Sequence, residues 1–190
     1  MILPIVAYGD AVLRKKTEEI GPDYPELDRL IADMFETMYQ ASGVGLAAPQ
    51  IGKSIRLFII DGSPYADEED SLKDFKKVFI NAEILEKGGE EWTTGEGCLS
   101  IPDIREDVNR PGDITVRYQD EKFQEHTESY SGMAARIIQH EYDHIEGKLF
   151  TDYLSPLKKR MLQGRLNAIS KGEIRSEYRM RFPKPSRKRR

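Results

Sequence analysis

Only three histidines occur among the 190 residues, and two of them, His140 and His144, stand four apart in the stretch QHEYDHIEG, residues 139–147. Residues four apart are neighbours on one face of an α-helix. Met133, Ile137 and Ile138 add an apolar inner side. Ser131-Gly132 and Gly147 supply start and stop signals. The spacing therefore predicts a buried helix from about 132 to 146 that carries two imidazoles and Glu141. Burying such groups with nothing to do costs free energy. A metal removes that cost, because neutral imidazole is a good ligand for Zn²⁺ or Fe²⁺. Glu141 is rotated about 100° from His140 around the helix. It points beside the metal, where a general base for an attacking water belongs.

Two histidines do not complete a metal site. In the frame HEYDHIEGKLF a third histidine of the HExxHxxGxxH kind is missing, because Phe150 holds that position. A downstream glutamate would have to be Glu173 or Glu177, both beyond the last predicted helix. His126 lies in an alternating polar strand and reads as a surface residue. Cys98, in EGCLS (96–100), is the better third ligand, since a thiolate adds charge and softness to an imidazole pair. Three protein ligands leave a position open, which marks a catalytic rather than a structural site.

Elsewhere the apolar pattern is readable in pieces. Tyr24-Pro25 opens a helix whose stripe is Leu27, Leu30, Ile31, Met34, Phe35, Met38 and Tyr39. GVGLAAPQIG (43–52) reads as a loop and residues 55–60 as a buried strand. The acidic stretch 63–74 reads as a surface loop. Residues 77–85 resume strand character, and 88–102 mix turns with short extended pieces. Residues 114–118 and 123–130 form a strand pair. Ser155-Pro156 starts a last helix to about Ser170, with Leu157, Met161, Leu162, Leu166 and Ile169 as its stripe. Short, mostly antiparallel strands around a central HExxH helix, with a further C-terminal helix, make an α+β domain.

Composition narrows the setting. A single cysteine forms no internal disulfide, and no apolar run approaches the length of a membrane span. With no basic start and long apolar stretch at the N-terminus, the expected location is the cytoplasm. Residues 171–190 carry nine Lys/Arg and two Glu, which leaves 20 basic against 31 acidic residues in the remainder. The expected organisation is a catalytic domain over 1–170 and a basic, disordered tail over 171–190 that holds no site residue and meets a polyanion.

Three separated segments, GVGLAAPQ (43–50), EGCLS (96–100) and HEYDH (140–144), resemble the bacterial-type peptide deformylases in kind, order and spacing. The likeness extends over roughly residues 3–170; the 63–74 stretch and the basic tail are additions to the minimal pattern. The resemblance implies a metal-dependent hydrolase that removes the formyl group from formyl-methionine at the start of newly made proteins. Cys98, His140 and His144 would hold one divalent ion, usually Fe²⁺, with Zn²⁺, Ni²⁺ or Co²⁺ accepted. Glu141 would carry the proton from water to the departing amine. The Gln50 side-chain amide and the Leu99 backbone N–H would meet the developing oxyanion. Gly43 and Gly45, lacking side chains, would let the peptide approach, with the Gly45 backbone bonding it. Val44, Met133 and Ile137 would line the methionine pocket, and Arg105 would contact the substrate backbone. Arg136 stands where many relatives carry an apolar residue, at the expected pocket rim. The resemblance also implies docking at the ribosome through the C-terminal helix, with the basic tail adding phosphate contacts.

Two other classes are compatible with parts of the pattern. A zinc peptidase shares HExxH but needs a different third ligand. A metal-stabilised nucleic-acid-binding protein would use the tail and a closed metal site, with no task for Glu141.

Overall fold

In the computed structural model, which describes residues 1–183, a five-stranded antiparallel sheet carries helices on both faces. Its strands are β2 (Gly45–Ala47), β3 (Leu57–Asp61), β4 (Lys76–Cys98), β5 (Ile101–Gln119) and β6 (Glu125–Ser131), adjacent in chain order. The run IRLFII does not alternate polar and apolar because both faces of β3 are covered. Leu57 and Ile59 join the cluster of helix α1 (Leu27–Gln40), with Leu30, Met34 and Met38. Phe58 and Ile60 turn the other way, towards Ile137 and Ile138 of helix α2 (Gly132–Ile145). Phe58 stacks on Phe79 with ring centroids 4.7 Å apart.

The α1 stripe is buried as its periodicity predicts, apart from Tyr39, whose hydroxyl reaches the Asp61 carboxylate at 2.6 Å. The helix begins at Leu27 rather than at Pro25. Helix α2 is buried along most of its length and ends as expected, with Gly147 at φ +73° directly against the Arg14 carbonyl. Its start is capped from an unexpected source. The acidic stretch 63–74, read as a surface loop, forms two 3₁₀ turns, buries Leu72, and turns Glu69 back so that its carboxylate accepts the Met133 N–H at 2.9 Å. A carboxylate there satisfies an orphan donor and faces the positive end of the helix dipole.

Three expectations are corrected. GVGLAAPQIG is not a plain loop: Gly45–Ala47 pairs with β3, and Ala48–Ile51 forms a 3₁₀ turn. Residues 88–102 are not short pieces but the middle of one long β4–β5 hairpin, which closes through the two-residue turn Leu99-Ser100. Register shifts between Gly88/Glu91 and Gly97/Cys98 interrupt its pattern. Helix α3 (Pro156–Lys171), with the Ser155 hydroxyl capping Lys158 N–H, buries only Leu162, Leu166 and Ile169 of its stripe. Leu157 and Met161 are 68% and 74% exposed.

The tail is also different from its expectation. Beyond Gly172 the chain returns to the body, and β7 (Met180–Arg181) pairs in parallel with β1 (Ile5–Val6). Ile174, Met180 and Phe182 pack against the α3 cluster. Enough apolar side chains alternate with the arginines to overcome the charge. The expected disorder therefore fails for residues 171–183, and residues 184–190, with five of the nine basic side chains, lie outside the described residues.

Candidate metal centre and active site

The end of β4 and the middle of α2 meet beside the turn that closes the β4–β5 hairpin. Cys98, the last residue of β4, places its Sγ 3.3 Å from His144 Nε2. One ligand-type atom each from Cys98, His140 and His144 lies within 4.8 Å of the others. Metal–sulfur and metal–nitrogen distances of about 2.3 and 2.1 Å imply a sulfur–nitrogen separation of about 3.6 Å around a tetrahedral ion, so the observed pair is within a few tenths of an ångström of it. Neither Glu173, Glu177 nor His126 joins this set among the described residues. His126 instead meets Asp120 at 2.9 Å on the sheet edge.

Of the two histidines, His140 is held from behind, whereas His144 Nδ1 has no hydrogen-bond partner among the described residues. His140 Nδ1 meets Glu96 Oε2 at 2.9 Å, which orients the ring. Glu96 also receives Arg110 at 2.6 and 3.0 Å and Arg136 at 3.0 Å, all in a buried setting. Arg110 continues to Asp143 at 2.8 Å, tying one side of α2 to the hairpin. Burial pushes Glu96 upward in pKa, but the bonds from His140 and Arg110 outweigh it and leave the carboxylate well below its ordinary value. His140 and His144 are pushed in opposite directions. Burial lowers His140, yet its bonds to Cys98 and Glu96 raise it well above ordinary. Burial and the neighbouring His140 hold His144 well below ordinary, as a neutral imidazole. The cluster thus combines a ready neutral ligand, His144, with a second imidazole oriented by the Glu96 carboxylate, as a bound cation requires.

Glu141 is 4% exposed, and its Oε2 has no hydrogen-bond partner among the described residues. Burial raises its pKa from 4.5 to about 7, even against the pull of His140. Its carboxylate occupies the place where a side chain on residue 45 would be. A Cβ added to Gly45 would lie 2.4 Å from Glu141 Oε1. Glycine at 45 therefore makes room for the carboxylate, a reason the expectation of peptide approach did not contain. Gly43 likewise makes room for the Leu99 side chain, 2.7 Å from such a Cβ.

Gln50 is 1% exposed, which rules out a solvated loop residue. Its Oε1 accepts the Ala47 N–H at 2.8 Å, which fixes the amide orientation, because a backbone N–H only donates. Its Nε2 then faces Cys98 Sγ at 3.5 Å and Ser100 Oγ at 3.4 Å, both long contacts. Around these groups opens a cleft of about 860 Å³. Val44, Met133 and Ile137 form an apolar side of it, continuous with the core beneath α2. Leu99 and Arg105 line another side, with the Arg105 guanidinium donating to Gly95 O at 2.9 Å.

Arg136 does line the cleft, and it is held rigidly there. It is 3% exposed, with its guanidinium 4.4 Å from the Trp92 ring centroid and donating to Trp92 O and Val108 O. Sequence reasoning missed Glu96 and Arg110, although Glu96 stands inside the quoted EGCLS. It also missed the walls supplied by the two additions. Tyr65 and Glu68 reach the cleft from the 63–74 stretch, and Arg175 to Tyr178 reach it from beyond α3. The tail was expected to hold no site residue, and the structure brings four of its residues to the cleft wall.

Three soft and nitrogen donors, an oriented imidazole, a buried carboxylate with a raised pKa and a cleft open to a peptide together make a metal-dependent hydrolase site. Comparison with known proteins narrows the class. A family model described as polypeptide deformylase matches residues 2–160. The chain is 60% identical over 190 residues to a peptide deformylase of Christiangramia forsetii, covering 96% of this chain and 97% of that protein. It is 57% identical to one of Flavobacterium psychrophilum, with 96% and 97% covered. Among solved structures, a peptide deformylase from Legionella pneumophila superposes with TM-score 0.79 at 39% identity, covering 93% of this chain and 99% of that one. The chain belongs to the polypeptide deformylase family, hydrolases that take the N-formyl group from newly synthesised proteins.

Proposed function

We propose that Cys98 Sγ, His140 Nε2 and His144 Nε2 hold one divalent ion, Fe²⁺ in the cell with Zn²⁺, Ni²⁺ or Co²⁺ as substitutes, and that Glu141 is the base for hydrolysis of the formyl amide. The observation that carries this reading is the partnerless, buried Glu141 carboxylate beside three ligand atoms within 4.8 Å of one another. The bound ion supplies Lewis acidity, which polarises the formyl carbonyl and makes water nucleophilic near neutral pH. Glu141 accepts the proton of the attacking water and gives it to the departing amine nitrogen. A buried carboxylate with an unpartnered oxygen is placed for both steps. Gln50 Nε2 and the Leu99 N–H stabilise the oxygen on which negative charge develops. The two present contacts of Gln50 Nε2 are long, so an oxyanion competes well for it.

The methionine side chain enters the apolar side made by Val44, Met133 and Ile137. The Gly45 backbone and Arg105 hold the peptide that follows. Because the substrate is a nascent chain, the enzyme works in the bacterial cytoplasm at the ribosome. No helix among the described residues is long and apolar enough to cross a membrane. Leu157 and Met161, exposed on α3 among Lys158, Lys159 and Arg160, give a docking face, and the basic residues of 184–190 add phosphate contacts.

The enzymatic reading is tested by formate release from formyl-Met-Ala-Ser against cleavage of an unformylated peptide. Formate release alone is expected; cleavage of the unformylated peptide would contradict it. The docking reading is tested by ending the chain after Pro183, which spares the cleft. Ribosome binding should weaken and lose its steep salt dependence while formate release holds. Equal binding by both chains would refute the part assigned to the tail.

A further inference from the structure

The two-residue turn Leu99-Ser100 is gripped from outside the catalytic sheet. Tyr8 N–H donates to Ser100 O at 2.8 Å, and the Tyr178 hydroxyl donates to Leu99 O at 2.8 Å. Tyr8 follows β1 and Tyr178 precedes β7, so the small β1–β7 ribbon reaches the turn with both of its strands. The ribbon is itself anchored, by Ile5 N–H to Arg179 O and Ala7 N–H to Arg181 O, both 2.9 Å, and by Met180 and Phe182 in the core. Packing of the segment is thus secured without the Tyr178 hydroxyl, which instead extends to the rim of the cleft.

The turn has no slack, because Cys98 and Ile101 on either side of it are paired across the hairpin. A rotation of the Leu99-Ser100 peptide must be taken up by its neighbours, and one of these is the Cys98-Leu99 peptide, which carries the Leu99 N–H. We propose that Tyr178 is a positioning residue for deformylation: by holding the Leu99 carbonyl it aims the Leu99 N–H at the oxyanion. The proposal rests on the oxyanion role given to Leu99 above. It assigns a catalytic use to a segment beyond the last helix, 79 positions away along the chain.

Tyr178→Phe removes the hydroxyl and keeps the ring. Deleting an oxyanion donor outright costs 10²–10³ in rate, and a donor left in place but misdirected should cost less, about tenfold in kcat. The assay is steady-state formate release from formyl-Met-Ala-Ser, normalised to bound metal, with the thermal midpoint followed in parallel. The expected result is kcat per metal ion down about tenfold, KM within about twofold, and a midpoint close to wild type. Unchanged kcat overturns the proposal, as does a raised KM with kcat intact, which would make Tyr178 a substrate contact. A loss that disappears on normalising to metal overturns it too. Failure of the wild-type protein to release formate would instead strike at the proposed function itself.

Discussion

Replacing Gly45 by alanine separates the catalytic geometry from the fold. The backbone of Gly45 is ordinary strand, not among the positive-φ glycines, so alanine carries no conformational penalty there. The added methyl carbon would lie 2.4 Å from Glu141 Oε1 and 2.7 Å from its Cδ and Cγ, where ordinary contact begins at 3.4 Å. The collision reaches from the carboxylate to Cγ of a buried side chain, so Glu141 has to swing aside as a whole and its carboxylate moves by about 1 Å. A displacement of that size at a catalytic group costs on the order of 10²-fold in rate. Stability should fall by about 1–3 kcal/mol, the usual cost of overpacking a buried site, which leaves the protein folded. The three atoms nearest to the new methyl all belong to Glu141 rather than to Cys98, His140 or His144, so metal content should remain that of wild type. Formate release, metal analysis and thermal unfolding of the purified variant give the three readouts. A variant that turns over at near wild-type rate would refute the packing argument. A variant that has lost its metal or fold would show that the collision is relieved elsewhere.

Two further substitutions test the supports of the site. Cys98→Ser should weaken metal binding, since an alcohol is a poorer ligand than a thiolate, and tight binding by the variant in metal titration would remove Cys98 from the ligand set. Glu69→Ala removes the carboxylate that caps Met133 N–H. It should cost about 1 kcal/mol, read as a fall of roughly 2–4 °C in thermal midpoint, and an unchanged midpoint would deny the 63–74 stretch its capping role.

Much of this site is legible in the sequence because its central parts are local. His140, Glu141 and His144 sit on one helix, and their relative directions follow from helical geometry alone. Cys98 could be chosen from the residues because the other ligand candidates were badly placed, and the structure brings it to His144. The buried support was less legible. Arg110 shares the buried face of β5 with Ile104 and Val108, but a charged side chain there does not read as core, and only the fold reveals that it links Glu96 to Asp143. The long hairpin was broken into pieces because residues 86–91 are exposed on both faces and interrupted by register shifts, so alternation fails. The segment 171–183 was misread because net charge outweighed its few apolar residues, yet Ile174, Met180 and Phe182 suffice to dock it.

The most direct test of the central claim compares wild type with Glu141→Gln, both purified anaerobically, for bound metal and formate release from formyl-Met-Ala-Ser. Glutamine keeps the shape of the side chain but cannot accept the proton. The account predicts one divalent ion per chain in both proteins and a loss of about 10²–10⁴-fold in turnover by the variant. Near wild-type turnover by a metal-loaded Glu141→Gln would contradict it.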